Sequence, residues 1–406
     1  MHAQLATAGD APAATRPARP PAAFLQNGFR PFFLGAAAWA VISLVHWLAL
    51  LAGIAAGASA FDPLAWHQHE MVFGYGGAVV AGFLLTAVPN WTGRPVVAAR
   101  LLVLLFVAWI GARLANLASG SIGWLPALVL DAGLLWALVA LGARELIAAG
   151  NWRNFPVLGI LLAFAAAATW SHVATAAALD GTPARRAGIA LLLVLIALVG
   201  GRIVPNFTAN WLRQRGGGTP PAAFGTLDKA AIAALVAALA VWLAAPGTGS
   251  AAALLMLAGV LHFARLARWS GWRTTAEPLV LILHVGYAWL AGGALLLGLS
   301  QLPGSFSETA ALHALTAGAI GTMTLAVMTR ATLGHTGRPL HAGPATVAIY
   351  LLVTAGALLR LLAPALPLPY TDALALAAAL WSGGFLLYLA VYGPMLVRPR
   401  VDAARP

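Results

Sequence analysis

Twelve apolar runs, each close to the ~20 residues that a helix needs to cross the hydrocarbon core of a bilayer, divide this chain almost from end to end. They fall at about 33–57, 67–89, 101–118, 124–148, 155–178, 187–208, 228–246, 249–268, 277–300, 306–329, 342–363 and 371–396. The weakest break is Pro246-Gly247, between the seventh and eighth. The runs are continuous rather than alternating, so they predict helices and not the strands of a barrel. Composition agrees, with 61% of residues hydrophobic and 8% charged, where a soluble domain carries roughly a quarter charged residues. The expected fold is an all-α polytopic membrane protein with twelve transmembrane helices.

A net charge of +12 invites a nucleic-acid reading, but the positions of the cations give another. Arg94 and Arg100; Arg144 and Arg153; Arg213, Arg215 and Lys229; Arg265, Arg268 and Arg273; and Arg330 and Arg338 fall in alternate loops. Both tails are basic too, through Arg16, Arg19 and Arg30 and through Arg398, Arg400 and Arg405. The opposite loops are nearly free of cations, Arg185 and Arg186 excepted. This is the positive-inside pattern. It predicts both termini in the cytoplasm, a bilayer as partner and no nucleic acid. Residues 1–30 are expected to form a disordered cytoplasmic tail, since 1–23 lack the apolar core of a signal peptide. Residues 31–397 are expected to form one membrane domain, and 398–406 a second cytoplasmic tail. The longest connection, 209–227, reads as a flexible cytoplasmic linker between two six-helix halves. The chain has no cysteine. That excludes disulfides, thiolate haem ligation, iron–sulfur clusters and Cys-based zinc or copper sites. Any metal must use His, supported by Met, Tyr or carboxylates.

An internal repeat orders the helices. Thr336-Gly337-Arg338-Pro339 repeats Thr92-Gly93-Arg94-Pro95, and in that register His313 falls on His69. The sixth run ends in Val204-Pro205-Asn206-Phe207-Thr208, much as the second ends in Val88-Pro89-Asn90-Trp91-Thr92. Runs 2, 6 and 10 are four helices apart and cross in the same direction. They predict three diverged four-helix units in a pseudo-threefold arrangement, the alternative being that Pro, Asn, Thr and Gly are common helix-ending residues. Histidines at matched depths in runs 2 and 10 suggest a metal or haem site between helices. The layout is similar to that of haem–copper oxidases and their nitric oxide reductase relatives, in which histidines of helices 2 and 10 hold a low-spin haem. The likeness stops at layout, because the oxidases' copper-ligand pattern on helices 6 and 7 is missing.

A more specific resemblance covers nearly the whole chain in order. Gly28-Phe29-Arg30-Pro31-Phe32-Phe33, Trp66-His67-Gln68-His69-Glu70 with Phe73-Gly74, the stretch from Gly82 to Gly93, Gly200-Gly201-Arg202, Pro205-Asn206-Phe207-Thr208, His284-Val285-Gly286-Tyr287 and the stretch from His313 to Arg338 resemble the NnrS family. The resemblance implies a protein of the bacterial cytoplasmic (inner) membrane that contains haem b and copper. It implies a role in denitrification and the nitric oxide response, binding nitric oxide and extending to its reduction or detoxification by an oxidoreductase. Electrons would then come from membrane quinol or from a separate donor protein, since no CxxCH or Cys-based copper centre is present.

With register and resemblance together, His69 and His313 are expected as the axial haem ligands. His67 lies about 200° round the helix from His69, so it is expected at a second metal or a propionate. Glu70 is either an imidazole-orienting acceptor or a carboxylate at a helix start. His284 and His335 belong to the other half of the membrane, because His335 is roughly 33 Å along the helix from His313. They are expected either as a second metal site near His262 and Tyr287, or as a proton-path residue and a helix cap. His46 and His172 read as packed, hydrogen-bonded histidines, His172 being the better spare ligand. Met71, Met323 and Met328 are soft donors more often used as core filler. Arg113 and Asp131 flank a short loop and are expected to pair. Arg202 serves either a haem propionate or the membrane interface. The alternative function is a multi-pass transporter of a small solute or metal, since two six-helix halves suit secondary carriers. A repeat at four helices, not six or three, argues against it. A sensor or metal-insertion factor is a third reading.

Overall fold

The computed structural model describes residues 22–401. Among these residues twelve helices are long and apolar enough to span a membrane. They are α1 (Phe29–Leu51), α2 (Pro63–Thr92), α3 (Ala99–Ile122), α4 (Trp124–Ala148), α5 (Trp152–Ala176), α6 (Thr182–Gln214), α7 (Thr226–Ala244), α8 (Gly249–Ala267), α9 (Pro278–Leu299), α10 (Glu308–His335), α11 (Pro344–Ala365) and α12 (Tyr370–Val397). Every expected span is present, and the protein is an all-α polytopic membrane protein. One end of the bundle gathers the arginine-bearing loops. The other, the histidine end, holds the first turns of α2 and α10.

Local chemistry sets the ends. Asp62 caps α2, its side chain accepting from the backbone N–H groups of Leu64 and Ala65 at 3.0 and 2.9 Å, with Pro63 in the first turn. The repeated Thr-Gly-Arg-Pro is a helix stop in both copies. Gly93 and Gly337 take the left-handed conformation, with φ of 67° and 74°, where a side chain is costly and glycine is not. At the second copy the Arg338 N–H closes onto the Leu333 carbonyl at 2.9 Å. Helix α10 therefore runs to His335, beyond the apolar run that predicted it.

The neighbour pattern repeats every four helices. Helices α3 and α4, α7 and α8, and α11 and α12 pack as adjacent pairs. So do α4 and α5, α8 and α9, and, closing the ring, α12 and α1. Helices α2 and α10 are the most buried of the twelve. The Tyr75 hydroxyl of α2 meets Thr324 Oγ1 of α10 at 2.5 Å, and α6 touches both. Each of these three helices also contains a π-helical segment: Glu70–Gly76 in α2, Ile196–Gly200 in α6 and Ala314–Ile320 in α10. The segments in α2 and α10 begin and end 244 residues apart, the offset of the Thr-Gly-Arg-Pro repeat. The segment in α6 starts ten residues further along than the repeat of Pro-Asn-aromatic-Thr would place it.

Three expectations change. Residues 22–30 of the expected disordered tail are ordered, while 1–21 lie outside the described residues. Arg30 is inside α1 and only 1% exposed. It donates to the carbonyls of Leu396 at 2.9 Å and Arg398 at 2.8 Å, because the end of α12 has carbonyls without helical partners. The linker expected at 209–227 shrinks to 215–225 between α6 and α7 and is tied down, the Ala222 N–H donating to the Arg268 carbonyl at 3.0 Å. Arg265, counted among the loop cations, is fully buried against Asp228 at 2.7 Å.

Candidate metal centres at the histidine end

The first turn of α2 is regular, so His67 and His69 point to opposite sides of the helix. His69 faces α4 and α5. Its Nε2 lies 2.6 Å from Asp131 Oδ2 and its Nδ1 3.0 Å from Ser171 Oγ. His172 Nε2 approaches the same Asp131 oxygen at 3.1 Å, and the two imidazole centroids are 4.6 Å apart. Phe61 and Phe73 pack on His69. The other Asp131 oxygen is held by Arg113, whose second terminal nitrogen holds Glu70. Trp39 Nε1 also donates to that Glu70 oxygen, at 2.7 Å.

His69, Glu70, Arg113, Asp131 and His172 are all buried. One ligand atom from each of His69, Asp131 and His172 falls within 4.8 Å of the others. Two carboxylates stand against one guanidinium, so with both carboxylates ionised and the imidazoles neutral the cluster would carry one surplus negative charge. The second Glu70 oxygen, Oε1, is buried without a donor. An unbalanced charge in a low-dielectric interior is costly, and a cation among three such donors removes it.

His67, on the other side of α2, stacks on Trp47 with centroids 4.9 Å apart. Its Nδ1 is buried and has no partner. The charged or chargeable groups that act on it are His313 of α10 and Arg360 of α11. His313 Nδ1 lies 2.7 Å from the Thr309 carbonyl. A carbonyl only accepts, so Nδ1 carries the proton and Nε2 presents a bare lone pair. Arg360 also acts on His313, and its Nη1 is buried without an acceptor. Two imidazoles and one guanidinium, from α2, α10 and α11, are thus near enough to act on one another electrostatically, and each keeps unused bonding capacity.

Residues 23–400 match the family described as NnrS protein. The chain belongs to the NnrS family. No curated protein matches it.

In this NnrS-family chain the histidine register between α2 and α10 is visible in the backbone, but the rings pair differently from the expectation. His313 is not among the bonded, ring or charge partners of His69. His67 is the α2 histidine on which His313 acts electrostatically. The physical reason is the rotation of α2, which turns His69 into the polar cluster with Asp131. His284 and His335 share no bonded or ring partner. His284 Nε2 meets Thr208 Oγ1 at 2.8 Å, whereas His335 packs on Phe29 at 5.3 Å. His262 and Tyr287 bond to each other at 2.7 Å, and Arg265 donates to the same hydroxyl at 2.7 Å. Arg202 donates to Asn154 Oδ1 at 2.8 Å, away from the histidine end. His46 packs edge-on against Trp66. Met71 accepts from Ser43 at 3.4 Å, and Met323 and Met328 are core residues. The expected Arg113–Asp131 pair is present.

Arg360, Ser171, Trp39 and Trp47 were not legible as site residues. Arg360 looks like an ordinary cation at a helix end, and the others carry no charge.

The small residues near the two histidines seat side chains and do not leave open space. A Cβ on Gly318 would come 2.6 Å from the Trp289 ring, and one on Gly321 2.8 Å from Trp381 Nε1.

Proposed function

We propose that this protein is a nitric oxide-response protein of the bacterial cytoplasmic membrane that carries two metal centres on opposite sides of α2. His67 and His313 hold a haem b, with Arg360 answering a propionate. His69, Asp131 and His172 hold copper. The observation that carries the reading is the buried His69–Asp131–His172 group, whose three donor atoms lie within 4.8 Å of one another. Two nitrogens and one oxygen suit copper as a donor set. The Thr309 carbonyl fixes the His313 ring and raises its basicity, as partners of metal-bound histidines do. A haem held by two imidazoles would supply one-electron chemistry here. The protein's part is to orient the imidazoles, supply the guanidinium and keep the sites within an apolar bundle. The arginine-bearing loops support a cytoplasmic position for that end of the bundle, which would put both centres towards the opposite face.

Optical spectra and metal analysis of the detergent-purified protein test this. The expected result is a Soret band that is lost in His67→Ala and in His313→Ala but kept in His69→Ala. Copper is expected to be lost in His69→Ala and in His172→Ala but kept in His67→Ala. Wild-type protein with neither a Soret band nor copper would falsify the proposal. Loss of the band in His69→Ala but not in His67→Ala would overturn the pairing.

A further inference from the structure

A crevice of about 340 Å³ opens between α8 and α9 at the arginine-bearing end. Phe263, Leu266, Trp272 and Val285 are among its walls, and Gly271 and His284 line it as well. Phe263 is 39% and Trp272 67% exposed, so the mouth faces outward from the bundle, towards lipid. His284 is the one titratable group in the lining and is 6% exposed. Its hydrogen bonds define its state. Thr208 Oγ1 donates to the Val204 carbonyl at 2.9 Å, which occupies its only proton. The contact with His284 Nε2 at 2.8 Å therefore has the ring donating to the hydroxyl. That leaves Nδ1 as a bare acceptor, buried and without a partner. Beside Nδ1 stands Gly271, where a Cβ would come within 2.5 Å of that nitrogen.

We infer that this crevice binds the ring of a membrane quinol, with a quinol hydroxyl donating to His284 Nδ1. The ligand must be lipophilic, because the mouth opens between spanning helices. It must be a hydrogen-bond donor, because the ring presents only a lone pair. A lipid acyl chain would leave Nδ1 unanswered, and among the described residues His284 belongs to no group of three or more metal-ligating side chains. A hydroquinone meets both requirements. Its oxidised quinone, an acceptor at both oxygens, meets only the first. The inference deepens the proposed function by siting a quinol partner, but the binding uses none of the residues assigned to the metals.

The test uses the full chain in nanodiscs and isothermal titration with decyl hydroquinone and with its dimethyl ether, which has the same ring and tail but no O–H. The hydroquinone is expected to bind at least about tenfold more tightly, the cost of leaving a buried acceptor unanswered. His284→Leu abolishes that preference. Thr208→Val frees the ring to take either tautomer and is expected to keep binding while narrowing the preference. Gly271→Ala, which puts a methyl group against Nδ1, is expected to weaken the hydroquinone more than the ether. Equal affinities in the wild type, or no binding of either probe because the crevice holds only lipid, overturns the inference. So does a preference that survives His284→Leu. A Soret band in protein that shows no such preference would sink this inference and leave the metal centres standing.

Discussion

Arg113 holds two carboxylates from two helices and is, among the described residues, the one guanidinium that answers either of them. Removing one partner of a buried ionic group costs more than the group contributes when intact, because the remaining charge is stranded. Arg113→Leu is therefore expected to destabilise the protein by about 3–5 kcal/mol, read as a fall in its thermal unfolding temperature in detergent. Glu70→Gln, which keeps the side chain's shape and leaves Arg113 its Asp131 partner, should cost less. A smaller effect for Arg113→Leu than for Glu70→Gln would contradict the charge accounting. The Arg113–Asp131 pair was legible in the sequence because two opposite charges flank one short turn in otherwise apolar helices. The partners of His69 were not. Whether His67 or His69 faces α10 depends on how α2 is rotated about its axis, and in that rotation His67 stacks on Trp47 of α1 while His69 packs on Phe61 and meets Asp131. His172 read as a lone histidine because its partner Asp131 lies 41 positions earlier, on another helix.

At the scale of the helices, close approach is built from glycines opposite large rings and bare backbone. Without a hydrophobic drive between helices in lipid, such contacts contribute much of the association. Gly356 of α11 is the clearest case, since a Cβ there would come 2.6 Å from the Trp381 backbone nitrogen and 2.9 Å from the Ala377 carbonyl. Backbone cannot swing aside, so Gly356→Ala is expected to cost about 1–3 kcal/mol. Gly133 of α4 has nothing within 4 Å of its missing Cβ. Gly133→Ala should be neutral or stabilise by up to about 1 kcal/mol through helix propensity. Unfolding midpoints of the two variants check the contrast, and equal shifts would refute it. Helix number was legible because an apolar run of spanning length has few other uses. Helix ends were less so: α10 continues six residues past its expected end until Gly337 stops it. The π segments had no sequence signal at all, although the repeat placed two of them in register.

For the whole molecule, the ring of helices closes with α12 against α1, and the helix neighbours repeat in threes of four. A bundle of two six-helix halves would have its main seam between α6 and α7, and no such seam dominates here. The arginine bias of alternate loops predicts an orientation that can be measured. A fluorescent protein fused after the C-terminus should fold and fluoresce on the cytoplasmic side. Alkaline phosphatase inserted in 300–307 should be active, and inserted in 268–277 inactive. Activity at 268–277 would invert the orientation and put the proposed metal centres at the cytoplasmic face. The closure has a temporal side as well. Helix α1 leaves the ribosome first, yet Arg30 finds its acceptors only in the last turn of α12 and just beyond it. Through almost the whole of synthesis α1 has an open flank and a guanidinium without partners. A chain cut short before α12 keeps both, so an unfinished copy carries a mark that a finished one lacks.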